Sequence, residues 1–262
     1  MNIKHPNVLF SHSGGVTSVV NTVASTLFTL TQQNNQALYI SSQGILGLWG
    51  KAYLKGSQID DAEWALINRS PASSFGSSRI NLATSEHDIH KMFEQFEKYK
   101  IGTFICNGGN GSQAITHQLQ KLATKNHYPL NCIGIPKTID NDLHHTDTCP
   151  GYGSAAKYTA TSLAEICLDV ASMCHSSTQV LIYEAMGRDA GWLAAASVLA
   201  KTHPAAGPHI ILLPEASFSL DAVLEETKSC IQKYNHCVIC IAEGALDSEK
   251  LLSEHSTNHV AF

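Results

Sequence analysis

The sequence predicts an α/β protein of doubly wound, mainly parallel sheets. Three observations point there. Apolar runs of strand length alternate with helical patterns along the chain, about seven strands in all. The runs are continuously apolar rather than alternating with polar residues, which is how strands covered on both faces read. Polar or glycine-rich clusters recur just past the strands, the edge at which open α/β sheets bind their ligands.

Val8, Leu9 and Phe10 make the first strand run. Ser11, His12, Ser13, Gly14 and Gly15 follow, then a helical pattern over residues 16–30. A strand, a glycine turn and a helix together aim backbone N–H groups at an anion. A plain strand-to-helix turn is the competing reading, since no Walker lysine follows. Residues 37–40 form a second strand and residues 44–50 a glycine-punctuated loop. Phe75, Gly76, Ser77, Ser78 and Arg79 make a small-residue loop ending in a cation. That suits bidentate clamping of a phosphate, or simple solvation of a surface arginine.

Residues 87–100 read as an amphipathic helix with Ile89, Met92, Phe93 and Phe96 on one face. The strand at 101–106 runs into Asn107, Gly108, Gly109, Asn110, Gly111 and Ser112. Glycines there let a phosphate approach the backbone, and Ser112 is placed to cap a helix over 113–123. Residues 133–135 read as a short buried strand that Pro136 stops, having no N–H for a ladder. Residues 154–173 form a helix whose Leu163, Ile166, Cys167 and Val170 make a core stripe. A strand at 179–183 leads to Met186, Gly187 and Arg188, then an alanine-rich helix to about residue 201. Strands at 210–213 and 237–242 flank a helix at 220–234. Glu243 and Gly244 follow the last strand, and residues 247–262 read as a polar tail.

The most informative chemistry follows Pro136. Lys137, Thr138, Asp140 and Asp142 stand within six residues, just past the carboxyl end of a strand. A lysine beside paired aspartates suits phosphoryl transfer. The cation neutralises phosphate oxygens, one carboxylate takes a hydroxyl proton, and the other helps hold Mg²⁺. A polar loop with Asp140 or Asp142 as a helix cap is the alternative. Gly151, Gly153 and Ala156 fit a dinucleotide fingerprint, which would make an NAD-binding oxidoreductase. No strand directly precedes them, and no acidic residue ends a following strand at the right distance.

Bulk properties narrow the partners. Apolar residues make up 44% of the 262 and charged residues only 15%, below the usual level of about 25%. That implies extensive burial, extending to a subunit interface. The net charge of −5 excludes a basic nucleic-acid footprint, so phosphate recognition has to be local. The eight cysteines mostly sit inside apolar runs and read as reduced core thiols of a cytoplasmic protein. No signal peptide and no membrane-spanning run is legible. The histidines are scattered without a metal-ligand frame.

Taken together, the loops resemble those of the phosphofructokinase family. Five motifs occur in family order: Gly14 with Gly15, then residues 75–79, 108–112, 136–142 and 186–188. Lysine after the proline, and the stretches 149–158 and 184–192, are similar to the bacterial pyrophosphate-dependent branch. The resemblance implies two doubly wound, Rossmann-like domains with mainly parallel sheets. Residues 1–148 would bind the phosphoryl donor. Residues 149–262 would bind the sugar phosphate and form an incomplete domain. It implies transfer of a phosphoryl group from pyrophosphate, or alternatively ATP, to the 1-hydroxyl of fructose 6-phosphate. Mg²⁺ is the implied cofactor, and a homodimer or higher homo-oligomer the implied assembly.

Carried over residue by residue, Asp140 is the base and Asp142 supports Mg²⁺ and transition-state charge. Lys137 binds the pyrophosphate. Thr138, Met186, Gly187, Arg188 and Glu243 contact the sugar phosphate. Gly14, Gly15, Arg79, Gly109, Gly111 and Ser112 hold the donor. Asn110 stands at a position where the family carries an aspartate ligand to the metal. It keeps an oxygen ligand but loses the charge, which lowers metal affinity. Gly111 replaces an aspartate common in the pyrophosphate branch, which leaves room for a nucleotide. Nothing in residues 247–262 matches the family's arginine- and histidine-containing sugar-phosphate segment. The chain therefore also reads as a truncated, non-catalytic phosphate-binding relative.

Overall fold

A computed structural model describes residues 6–50, 52–82 and 85–245. The polar tail expected at 247–262 lies outside the described residues. Contacts divide the chain into two compact units, Met1–Thr138 and Ile139–Phe262. Residues 139–148, placed in the first domain by the sequence reading, group with the second unit, where Ile139 packs against the core.

The first unit is a five-stranded sheet in the order β3-β2-β1-β4-β5. Its strands are β1 (Asn7–His12), β2 (Leu38–Ile40), β3 (Leu54–Lys55), β4 (Ile101–Gly108) and β5 (Asn131–Pro136). All pairings are parallel except the antiparallel β2–β3 edge. The helices are α1 (Ser18–Gln33), α2 (Asp61–Arg69), α3 (Glu86–Lys98) and α4 (Asn110–Lys125). Alternate residues of the central strands feed two cores. Leu9, Phe104 and Cys106 face α3 and α4, packing with Met92, Phe93, Phe96, Ile115 and Leu119. Val8, Phe10 and Ile105 pack with Val20, Ala24, Phe28, Trp64 and Ile67 of α1 and α2. Covering on both faces is why these strands lack polar alternation.

Four local details depart from the sequence reading. β3 is two residues long, and α2 is only nine residues with just Trp64 and Ile67 buried, so neither shows in the pattern. α2 is held by its Asp60 cap, which accepts from the Glu63 N–H at 2.7 Å, and by Trp64 stacked on Phe28 at 4.7 Å. α4 starts three residues early. The Gly109 carbonyl accepts both the Ser112 and the Gln113 N–H, so Gly109 is the cap and Ser112 lies in the first turn. β5 is an edge strand rather than a buried one, and Ile133 is 49% exposed.

The second unit is a parallel three-stranded sheet in the order β6-β8-β7. Its elements are α5 (Tyr152–Met173), β6 (Val180–Ala185), α6 (Trp192–Ala196), β7 (Ile210–Leu212), α7 (Leu220–Tyr234) and β8 (Cys237–Ala242). Central β8 is buried throughout. It turns Val238, Cys240 and Ala242 towards Leu163, Cys167 and Val170 of α5. Cys237 and Ile239 meet Cys230 of α7 on the other side. All eight cysteines are free thiols. Burial pushes Cys106, Cys132 and Cys237 up to about 12, so these are inert core groups.

β1 ends in His12, which is 1% exposed and hydrogen-bonded through Nε2 to the Ser73 hydroxyl at 2.8 Å. Burial, aided by the Lys137 ammonium and opposed by a hydrogen bond to the Gly76 backbone, brings the imidazole down to about 4. The folded chain therefore holds His12 neutral while the unfolded chain protonates it near 6.5. Between pH 6.5 and 4 the unfolded state binds the extra proton, so stability falls as pH falls, by on the order of 3 kcal/mol. Melting curves of His12→Asn across that range should show a flatter acid limb than wild type. A limb of unchanged slope contradicts the assignment. Phe96→Ala should lower unfolding free energy by about 3–5 kcal/mol in chemical denaturation, and Ile133→Ala by less than about 1 kcal/mol. Equal losses would contradict the burial contrast.

Candidate functional site

In the first unit the carboxyl ends of β1, β4 and β5 carry three turns. After β1, Gly14 adopts φ 81°, a left-handed conformation that favours glycine. Its N–H donates to the Ser78 carbonyl at 3.1 Å. The Ser13 hydroxyl donates to the same carbonyl at 3.2 Å, and the Ser77 hydroxyl to the Gly14 carbonyl at 2.7 Å. Buried Phe75 anchors this serine loop in the core. Arg79 follows with an exposed side chain. A Cβ added at Gly14, Gly15 or Gly111 would meet nothing within 4 Å, so these glycines border open space.

After β4 the chain turns through Gly108 into α4. A Cβ at Gly108 would lie 2.1 Å from the Ser112 hydroxyl and 2.8 Å from the Ser13 carbonyl. Only glycine fits there. The Ser112 hydroxyl in turn donates to the Ser13 carbonyl at 3.4 Å, joining the second turn to the first. Sixteen-residue α4 presents its N-terminal N–H groups and the positive end of its dipole at this edge, a setting that favours an anion.

Lys137 ties the turns together. Its N–H donates to the Gly108 carbonyl at 3.0 Å, and its ammonium donates to the Gly15 carbonyl. The side chain is 4% exposed. Thr138 is buried beside Gly109. The structure therefore gathers Gly14, Gly15, Gly109, Gly111, Ser112, Lys137 and Thr138 along one sheet edge, with the Arg79 loop tied to the same glycine turn. A fixed cation, a helix N-terminus and glycines that border open space thus meet at this edge.

In the second unit the carboxyl ends of β6 and β8 lie side by side, with Ala185 opposite Ala242. Beyond them, Met186 is exposed and Gly187 adopts φ 126°. The Gly244 N–H donates to the Gly187 carbonyl at 3.0 Å. A Cβ at Gly244 would lie 1.6 Å from the Arg188 carbonyl, so the two loops close on each other only through glycine. Arg188 pairs with Glu243 at 3.2 Å, the arginine largely in solvent and the glutamate partly so. An exposed pair contributes at most about 1 kcal/mol, which leaves the guanidinium open to exchange Glu243 for an anionic ligand. The Glu215 carboxylate accepts the Gly191 N–H at 2.8 Å and holds the far end of the same loop.

Asp140 and Asp142 belong to the second unit, in the loop before α5, and each withdraws its Oδ1 from solvent. Asn141 between them is buried. Its side chain accepts from the Cys149 N–H at 2.8 Å and donates to the Asp147 carbonyl at 3.3 Å. The dinucleotide fingerprint has no strand before it: Gly151 is the cap of α5 and follows a loop. Sequence reasoning assigned no individual contact to His12, Ser13, Asn141 or Glu215, which the structure places in or beside these loops. Only the serine flanks of the glycine pairs signalled any of them.

A phosphofructokinase family model matches residues 7–261. The chain is 42% identical over 246 residues to the pyrophosphate–fructose 6-phosphate 1-phosphotransferase of Xanthomonas campestris pv. campestris (strain B100), covering 93% of this chain and 59% of that protein. It is 37% identical over 262 residues to the protein of the same name from Halomonas elongata, covering 98% of this chain and 62% of the relative. It also resembles the crystal structure of a pyrophosphate-dependent phosphofructokinase from Marinobacter aquaeolei, at TM-score 0.79 and 39% identity, over 91% of this chain and 60% of the other. The chain thus spans about three fifths of the length of the relatives it matches. With a match that runs through nearly all the described residues and every loop above, this chain belongs to the phosphofructokinase family.

Proposed function

We propose that the protein is a pyrophosphate-dependent 6-phosphofructokinase, transferring a phosphoryl group to the 1-hydroxyl of fructose 6-phosphate. The observation that carries this reading is the buried Lys137 ammonium fixed against the Gly15 carbonyl among three glycine turns. A preset cation facing backbone donors suits a compact donor made only of phosphates. The names of the relatives agree with it.

On this reading the first unit holds the donor. Gly14, Gly15, Gly109, Gly111 and Ser112 offer backbone and hydroxyl groups to the phosphates, Arg79 closes over them, and Lys137 neutralises their charge. The second unit holds the acceptor. Met186, Gly187, Arg188 and Glu243 take the sugar phosphate, and Thr138 is a further residue read as binding it. Asp140 accepts the proton of the attacking hydroxyl, which makes the oxygen a competent nucleophile. Asp142 supports the charge that develops.

The donor set fits Mg²⁺. The Asn110 amide in the first unit and the Asp142 carboxylate in the second each offer a hard oxygen of the kind Mg²⁺ takes, and Mg²⁺ in phosphoryl-transfer sites is shared with substrate phosphates. Among the described residues no group of three His, Cys, Asp or Glu side chains gathers to hold a metal alone. Bound Mg²⁺ would cancel charge on the phosphate oxygens. Tyr158, Leu168 and Leu199, each more than 70% exposed, support a homo-oligomer. Among the described residues no helix is long and apolar enough to cross a membrane, and a cytoplasmic place fits the reading.

A second reading takes ATP as donor. It is favoured by the open space beside Gly111, where a larger group has room.

An assay coupling fructose 1,6-bisphosphate formation to NADH oxidation tests the proposal. Pyrophosphate with Mg²⁺ should support turnover, and Asp140→Asn should lower kcat by about 10²–10⁴-fold with folding intact. Turnover with ATP but not pyrophosphate would favour the second reading. Turnover with neither would overturn the activity. Lys137→Met should lower kcat/KM for pyrophosphate at least about 10-fold, and an unchanged value would remove the lysine from the donor site.

A further inference from the structure

Asn141 stands between the two aspartates with φ 57°, in the left-handed region that a side chain rarely adopts. A left-handed residue folds the chain back, and it sets the direction in which both flanking side chains leave the backbone. Asparagine accepts this conformation better than most residues because its short amide bonds locally. Here the amide is 8% exposed and bonded at both ends. Its oxygen accepts from the Cys149 N–H at 2.8 Å, and its nitrogen donates to the Asp147 carbonyl at 3.3 Å. Cys149 is itself buried, and its carbonyl receives the Tyr152 N–H that opens α5. The turn that carries the aspartates is thus moored by one amide to a rigid element, the 22-residue helix α5.

We propose that Asn141 is a positioning residue for the carboxylates of Asp140 and Asp142. It acts through the geometry of the turn and not through contact with substrate. The inference rests on the roles proposed for those aspartates above. The two bonds require both an acceptor and a donor, which only an amide of this length supplies. Aspartate at 141 would keep the acceptor for Cys149 but turn a second oxygen on the Asp147 carbonyl, and it would add a third negative charge between two others. Glycine would keep the backbone conformation and lose both bonds. Alanine would lose the bonds and retain the strain.

The test compares wild type with Asn141→Gly and Asn141→Asp as full chains. Asn141→Gly should lower kcat by roughly 10- to 100-fold, because a displacement of about 1 Å in a reacting group has that effect, while KM for fructose 6-phosphate stays within about 2-fold. Asn141→Asp should retain the fold and also lose kcat. The readout that does not need turnover is carboxyl NMR of ¹³C-aspartate-labelled protein, with Asp140 and Asp142 assigned through their asparagine variants. In Asn141→Gly their shifts and titration midpoints should move, while those of Asp60 and Asp221 stay put. A merely structural amide would lower the melting temperature and leave kcat per folded molecule and both carboxyl titrations unchanged; that result overturns the proposal. If wild type shows no turnover, the functional reading fails separately, and unmoved Asp140 and Asp142 signals would then overturn the positioning role.

Discussion

A lysine ammonium almost wholly withdrawn from water is the constraint around which the first unit is arranged. Burying such a charge costs several kcal/mol unless it is bonded or faces an opposite charge. Lys137 meets that demand with the Gly15 carbonyl, the product of a turn that Gly14 makes possible. Its own backbone holds the Gly108 carbonyl, at a place where any Cβ would strike Ser112. One side chain thereby fixes the relation of the β1, β4 and β5 ends. On the proposed reading, a cation presented among backbone N–H groups at a sheet edge is organised for phosphate before any phosphate arrives. Burial keeps nearby His12 neutral, and the Lys137 cation adds a smaller push in the same direction.

The second unit meets the same problem with different materials. Its arginine is exposed and only loosely held by Glu243, so the precision lies in the backbone. Gly187 and Gly244 bring the loops after β6 and β8 into contact closer than side chains allow. The division between the units falls inside the chemical motif itself, after Thr138. Lysine and threonine end one unit, and the aspartates open the other. On the proposed reading, such a chain ties donor-binding and acceptor-binding groups covalently within a few residues.

Much of this was legible in the sequence because buried strands announce themselves. Val8 to Phe10 and Phe104 to Cys106 are apolar at every position, as strands covered on both faces have to be. The glycine clusters after them were equally plain. What escaped notice was set by tertiary contact. α2 buries only Trp64 and Ile67, and its stability comes from Phe28 across the unit. Ser112 has the chemistry of a cap, but helical bonding begins at Gly109, so its hydroxyl was free to join Ser13 instead. β5 carries the same β-branched residues as a central strand yet lies at an edge, which composition alone does not reveal. Of the candidate site, the residue types in each loop were readable. The serine bonds around Gly14 depend on residues more than sixty positions away, and the Asn141 amide on a loop whose path no periodic pattern reveals.

The claim at the centre is that a preset cradle in this chain delivers a phosphoryl group to a sugar hydroxyl. The most direct measurement is ³¹P NMR of the purified chain mixed with Mg²⁺, pyrophosphate and fructose 6-phosphate. The account predicts that the pyrophosphate signal declines as orthophosphate and a second sugar phosphate monoester, on carbon 1, grow in equal amounts. Pyrophosphate that persists unchanged, or that yields orthophosphate alone, would contradict it.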